Sequence, residues 1–164
     1  MNNITRVTKA LISYNGSDVP RINHALKVFS FASFIAHSEA CTDEEIFIIE
    51  AASLLHDIGI HNAEKKYNSC AGNYQEIEGP PVARDLLSPL SLPEDVLDRI
   101  SFLIAHHHTY NKIEGIDYQI LIEADFIVNI FEDAMSAGQI SSVKKKLFKT
   151  KSGIALIESL YEKQ

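Results

Sequence analysis

Three features of the sequence predict an all-α fold. Apolar residues recur at spacings of three and four. No run alternates with the period of two that a half-buried strand requires. The 7 Gly and 5 Pro are few, and the Pro residues fall where helices begin or segments join. Asp18-Val19-Pro20 reads as a helix start, with Asp as cap and Pro in the first turn, leading into a segment from Arg21 to about His37. Its apolar residues, Ile22, Ala25, Leu26, Val28, Phe29, Phe31, Phe34 and Ile35, cover more than one face, which marks a helix buried on several sides. Thr42-Asp43-Glu44-Glu45 is a capping box that opens a helix from Glu44 to about Asp57, and Gly59 is expected to stop it. From Ile60 to Gln75 the apolar period fades among Asn62, Asn68, Ser69, Gly72 and Asn73, so a long binding loop is expected there. Further helices are expected near Pro81 to Ser88, Pro93 to about His107, and Tyr118 to about Met135. Gly138 separates a last pair, about Ile140 to Phe148 and Gly153 to Tyr161. No internal repeat or low-complexity tract is present.

The composition narrows the function. A chain of 164 residues with 46% hydrophobic and 23% charged residues suits one folded domain and excludes disorder. No apolar stretch approaches the roughly 20 residues of a membrane-spanning helix, and Met1 to Ala10 lacks the apolar region of a signal peptide. The two Cys, Cys41 and Cys70, make no disulfide framework and suit a reducing compartment, so a cytoplasmic location is expected. A net charge of -7 argues against an extended nucleic-acid surface, which needs many Lys and Arg to displace counterions. The Lys144-Lys145-Lys146 run and the nearby Lys149 and Lys151 read as a solvated helix face. An apolar fraction near half leaves room for a homodimer interface.

Chemistry concentrates in the His and carboxylate residues. His56-Asp57 ends an apolar helix, where an imidazole and a carboxylate can converge on one divalent ion beyond it; taken alone, the pair reads equally well as a helix-terminal His favoured by the dipole. His24 shares a stripe with Val28, Phe31 and Ile35 and points into apolar surroundings. Asp125 is flanked by apolar residues on both sides, so it needs a metal or an ion-pair partner, for which Arg84 and Arg99 are the alternatives. His106-His107-His108 closes a helical segment. At most two of the three can face one site, and a polar helix end in solvent is the competing reading. Glu78, just before Gly79-Pro80-Pro81, offers a further carboxylate or a simple helix-start acid.

In chain order these residues run His24, His56-Asp57, Glu78, His106-His107, Asp125, and in that order the sequence resembles the HD superfamily of metal-dependent phosphohydrolases. Arg21-Ile22-Asn23-His24 looks like the family's opening motif, Leu54-Leu55-His56-Asp57-Ile58-Gly59 like its core motif, and Ile122-Glu123-Ala124-Asp125 like its final acidic motif. Phe148 to Gly153 looks like a C-terminal extension of small bacterial members. The resemblance implies a single helical domain over residues 1–164, with core motifs at about 21–133 and a helical extension at about 138–164. It implies that His24, His56, Asp57 and Asp125 bind a divalent transition metal, Mn, Fe, Co, Ni or Zn. Some relatives bind a second metal through a later His and a His-His pair; here His106-His107 matches the pair and Glu78 stands in place of the later His. The implied reaction is hydrolysis of a phosphomonoester or phosphodiester, of a nucleotide or another small phosphorylated molecule, by metal-activated water. Asp57 would orient the water, and His61, Glu64 and His107 are candidates for handling protons. Arg21, Lys65, Lys66 and Tyr110 are candidates for holding the substrate. A di-iron oxygenase of the same fold and a non-catalytic helical binding module are the competing functions.

Overall fold

The computed structural model describes residues 2–162, which form nine α-helices and one short 3-10 helix without a strand. The helices are α1 (Asn3–Asn15), α2 (Val19–Ser38), α3 (Asp43–Leu55), α4 (Ile60–Tyr67), α5 (Gly72–Leu87), α6 (Glu94–Ile104), α7 (Ile116–Glu132), α8 (Ala137–Leu147) and α9 (Lys151–Tyr161), with the 3-10 turn at Ser88–Leu90. None of them is long and apolar enough to cross a membrane.

The core is built around α3. Its residues Ile48, Ile49 and Ala51 to Leu55 are all buried, because α2, α6 and α7 pack on it from different sides. The expected capping box is present: the Thr42 hydroxyl accepts from the Glu45 N–H, and the Glu45 carboxylate accepts from the Thr42 N–H at 2.8 Å. Deleting a buried Leu such as Leu54 from this helix would cost about 2–5 kcal/mol. The functional consequence is placement, since a helix locked on all sides delivers the residues after it, His56-Asp57, to a fixed point in the molecule.

Several boundaries differ from the sequence expectation, each for a physical reason. Helix α1 has no counterpart among the expected helices; Asn2 caps it by accepting from the Thr5 N–H, and only the one-turn stripe of Val7 and Leu11 is fully buried. The segment from Ile60 to Gln75 is not a long loop. It holds α4, a short connection, and the first turn of α5. Helix α4 buries only Ile60 and Ala63 and ends at Asn68 in the left-handed region (φ 51°, ψ 38°). Helix α5 begins nine residues before Pro81 and runs through both Pro80 and Pro81, each of which lacks the N–H for a helical bond. Its buried stripe of Gln75, Glu78, Gly79, Ala83 and Leu87 has helical spacing but too few apolar members to read as one.

Gly59 also plays a different part from the one expected. Its backbone is right-handed helical (φ -77°, ψ -13°), so it does not end a helix by a left-handed cap. Glycine is required by a close crossing: a Cβ on Gly59 would meet Gly79 N at 2.5 Å and Gln75 O at 2.7 Å. Backbone of the turn after His56-Asp57 therefore rests directly on backbone of α5.

The C-terminal helices are tied to the core by a buried carboxylate. Glu123 on α7 accepts from the backbone N–H groups of Lys149 (2.6 Å) and Thr150 (2.9 Å), from the Thr150 hydroxyl, and from the Gln119 amide. Burial pushes its pKa up, and these donors work in the opposite direction. Gly153, in the first turn of α9, leaves room for that carboxylate.

The crossing at Gly59 generates a prediction. Gly59→Ala should lower unfolding stability by about 1–3 kcal/mol, the cost of overpacking against backbone that cannot yield. Denaturant unfolding checks it, and a variant as stable as the parent would show that the crossing is not tight.

Candidate metal centre

Four segments converge at one end of α3. His24 comes from α2, His56 and Asp57 from the turn after α3, His107 and His108 from the turn after α6, and Asp125 from the middle of α7. By distance the ligand-type atoms form two groups that share Asp57: His24, His56 and Asp57, and Asp57, His107 and His108.

In the first group His24 Nε2 lies 3.2 Å from His56 Nε2. Asp57 Oδ2 is 3.6 Å from the former and 3.5 Å from the latter. Asp125 Oδ1 is 3.3 Å from His24 Nε2 and 3.6 Å from His56 Nε2. Ligands bound about 2.0–2.2 Å from one ion stand roughly 3.0–3.5 Å from each other, so these separations suit a shared cation. Asp125 is further oriented by the Asn129 amide, which donates to Oδ1 at 3.0 Å. Neither arginine considered as its partner is used: Arg84 pairs with Glu94 and Asp98, and Arg99 with Glu114 and Asp117.

The imidazoles are wired to present Nε2. His24 Nδ1 meets the Glu132 carboxylate at 2.7 Å, His56 Nδ1 the Ser53 carbonyl at 2.8 Å, and His107 Nδ1 the Ile104 carbonyl at 2.7 Å. A carbonyl oxygen only accepts, so Nδ1 carries the proton in each carbonyl-bound ring and Nε2 is left as the basic nitrogen. Such outer partners are what fix the tautomer of a metal-binding His. Glu132 is itself paired with Lys27.

Two observations fit a cation. His107 is fully buried and its Nε2 has no hydrogen-bond partner, although Asp57 Oδ1 is 3.3 Å away. An unsatisfied buried polar atom costs about 1–3 kcal/mol, which a cation, or a proton held between it and Asp57, would offset. The second observation is electrostatic. Burial opposes a charge on His56, yet Asp57 and Asp125 overcome it and push its pKa up to about 9. Burial likewise opposes ionisation of Asp57 and Asp125, but the imidazoles hold both well below the ordinary carboxylate range. Two carboxylates and paired imidazoles of this kind provide the charge and donor set of a divalent ion.

Other candidates lie elsewhere. His106 is turned away: it stacks on Phe102 with ring centroids 4.2 Å apart, and its Nδ1 meets the Phe102 carbonyl at 2.7 Å. The His-His pair at the centre is therefore His107-His108, one residue later than expected, because α6 ends at Ile104 and all three imidazoles sit in a turn. Glu78 belongs to neither ligand group. It accepts from Lys66 Nζ at 2.5 Å and the Tyr67 hydroxyl at 3.0 Å, and the Lys66 hydrogen bond chiefly pulls its pKa down. Arg21, His61 and Glu64 meet one another: Arg21 donates to Glu64 Oε1 at 2.6 Å, pairs with Asp18 at 2.9 Å, and approaches His61 Nδ1 at 3.1 Å. Lys65 is exposed on α4. The Tyr110 hydroxyl lies 3.3 Å from His108 Nδ1, with its ring edge-on to Phe126. The residues that sequence reasoning missed are His108, Gln75, Glu132 and Asn129. Glu132 and Asn129 had a signal available, at spacings of seven and four from Asp125, and His108 had one in the His106-His107-His108 run.

A helical bundle that gathers His and Asp side chains around a shared carboxylate has the donor set to hold a divalent metal. The HD domain family matches residues 21–147, and the chain belongs to that family, whose domains bind divalent metals. A crystal structure of a predicted HD superfamily hydrolase from an uncultured Thermotogales bacterium is similar, with a TM-score of 0.69 and 25% identity, covering 96% of this chain and 84% of that one. No curated protein matches the chain.

The geometry sets expectations for metal binding. His56→Ala should abolish it, His106→Ala should leave it unchanged, and Glu132→Ala should weaken it by about 10–100-fold, since Glu132 only orients His24. Calorimetric titration with Mn²⁺ or Zn²⁺ separates the three. The metal competes with the His56 proton, so affinity should rise with pH up to about 9. In the metal-free protein the sign is opposite: stability from the charged His56 is complete below the ordinary 6.5 and is lost as pH rises through about 9. A metal affinity independent of pH between the ordinary 6.5 and about 9 would contradict this picture.

Proposed function

We propose that this protein, at the family level a metal-dependent hydrolase of the HD superfamily, hydrolyses a phosphomonoester or phosphodiester of a nucleotide or another small phosphorylated molecule. The observation that carries the reading is the set of Nε2 and carboxylate atoms of His24, His56, Asp57 and Asp125, gathered within ligand distance of one another. A divalent ion bound there supplies a water with a pKa near 7 and polarises a phosphoryl oxygen. The residues around it supply position and charge.

Asp57 faces two ways, with Oδ2 toward His24 and His56 and Oδ1 toward His107. Its side chain is 25% exposed while those of His56, His107 and Asp125 are at most 5% exposed, so the substrate side of the site lies at Asp57. A carboxylate in that position accepts a hydrogen bond from an incoming water and orients its lone pair toward phosphorus. Arg21, one turn before His24, is the group suited to a phosphate. Its ion pairs with Asp18 and Glu64 are partly exposed and worth about 0–1 kcal/mol each, so a phosphate can displace them at little cost. His61 serves as the pivot of that arginine. Its Nδ1 accepts from Arg21 Nη1, leaving the Nε2 proton for Asn15 Oδ1 at 3.1 Å. Glu64 and His61 thus hold Arg21 ready, and His61 has no free lone pair for proton transfer.

A panel of phosphomonoesters, nucleotides and cyclic dinucleotides with Mn²⁺, Co²⁺, Ni²⁺ or Fe²⁺ tests the proposal. Turnover is expected to vanish with a chelator and return on adding metal. Asp57→Asn should lower kcat by more than roughly 100-fold, beyond the loss caused by removing an orienting partner alone. Arg21→Ala should raise KM more than it lowers kcat. Oxygen-dependent turnover by the iron-loaded protein with no phosphoester hydrolysis would overturn the proposal, as would hydrolysis undiminished in Asp57→Asn.

A further inference from the structure

Four imidazoles border the two carboxylates, and one of them is wired in the opposite sense. His24, His56 and His107 each engage an acceptor through Nδ1 and turn Nε2 to the centre. His108 is held at both nitrogens by residues outside the ligand groups.

The direction of those contacts follows from Gln75. Its side-chain N–H donates to the Cys70 carbonyl at 2.7 Å. Since that carbonyl can only accept, the amide cannot be turned over, and it is Gln75 Oε1 that faces His108 Nε2, at 3.3 Å. An oxygen acceptor there requires the proton on His108 Nε2. In the neutral ring the one remaining lone pair is on Nδ1, and the Tyr110 hydroxyl stands 3.3 Å from it as the donor.

The ring has little freedom to leave this arrangement. It packs against the start of α5, where a Cβ on Gly72 would already meet His108 Cδ2 and Cγ at 2.5 Å. The His108 backbone N–H is fixed to Glu76 Oε1 at 3.0 Å, and the neighbouring Thr109 hydroxyl binds the same oxygen at 3.0 Å. Gln75 is itself buried. The group Asp57, His107 and His108 is therefore close enough to hold an ion by distance, but the His108 lone pair is already committed.

We infer that Gln75 is a positioning residue that withholds His108 from metal, so that the protein binds a single ion, on the side of His24, His56, Asp57 and Asp125. The inference rests on the metal-dependent reading above and deepens it. His107 then keeps its Nε2 beside Asp57 Oδ1, buried and outside the ligand set of that ion.

Equilibrium dialysis against Mn²⁺ followed by elemental analysis counts ions per chain. The parent protein should hold one. Gln75→Leu removes the acceptor, lets the Tyr110 oxygen accept from Nδ1–H instead, and should admit a second ion, seen also as exchange coupling in the Mn²⁺ electron paramagnetic resonance spectrum. A long-range ¹H–¹⁵N spectrum of the Zn²⁺-loaded parent supplies a readout that does not depend on any variant folding: His108 should carry its proton on Nε2, while His24 and His56 carry theirs on Nδ1. Two tightly held ions in the parent, or His108 protonated on Nδ1, would overturn the inference and leave the metal-dependent function standing. A folded Gln75→Leu protein that still holds one ion would also overturn it. No ion bound to the parent would overturn both.

Discussion

Asp57 is the point on which the arrangement depends. A carboxylate placed among buried imidazoles at the end of a core helix is stable only if each neighbour is held so as to offer it a proton or a shared cation. Its two oxygens divide that task, one serving His24 and His56 and the other His107. Everything that positions these three rings then becomes part of the site. That includes the packing of α2 and α7 against α3, the turn that ends α6 at Ile104, and the carbonyls of Ser53 and Ile104.

Around this centre the exposed ion pairs lie outside and the buried His and Asp groups inside. Arg21, Glu64 and Lys27 form pairs at the rim, where solvent keeps such pairs weak and exchangeable. The inner groups are bound to backbone carbonyls or to one another. The close crossing of Gly59 on Gly79 links the two regions, because it sets the turn carrying His56-Asp57 directly against α5, the helix that also carries Gln75 and Glu78. Helix α5 thus serves two sides of the site from its first two turns: Gln75 faces His108, and Glu78 anchors α4 through Lys66 and Tyr67.

Much of the candidate site is legible in the sequence because its members belong to short local patterns. His56-Asp57 at the end of an apolar helix, His24 within an apolar stripe and Asp125 between apolar neighbours each stand out against their surroundings, and all three segments meet in the structure. The pattern fails where the residues that matter are polar on both faces. The run Asn73-Tyr74-Gln75-Glu76 carries no hydrophobic period, so the start of α5 reads as loop and nothing marks Gln75. Glu78 reads as a ligand from its place in the chain order, while in space it pairs with a lysine and a tyrosine.

By itself the sequence determined the helical class, the capped starts of α2 and α3, and the prominence of His24, His56, Asp57 and Asp125 among apolar neighbours, because these are matters of local spacing and of charge against an apolar background. The tertiary structure decided which imidazoles face inward and with which nitrogen. It turned His106 onto Phe102, brought His107 to Asp57, and set His108 between Gln75 and Tyr110. The orientation of a ring in a turn depends on which carbonyl, carboxylate or amide reaches it from another part of the chain. Those partners lie up to 108 residues away, as between His24 and Glu132, beyond the reach of any local pattern.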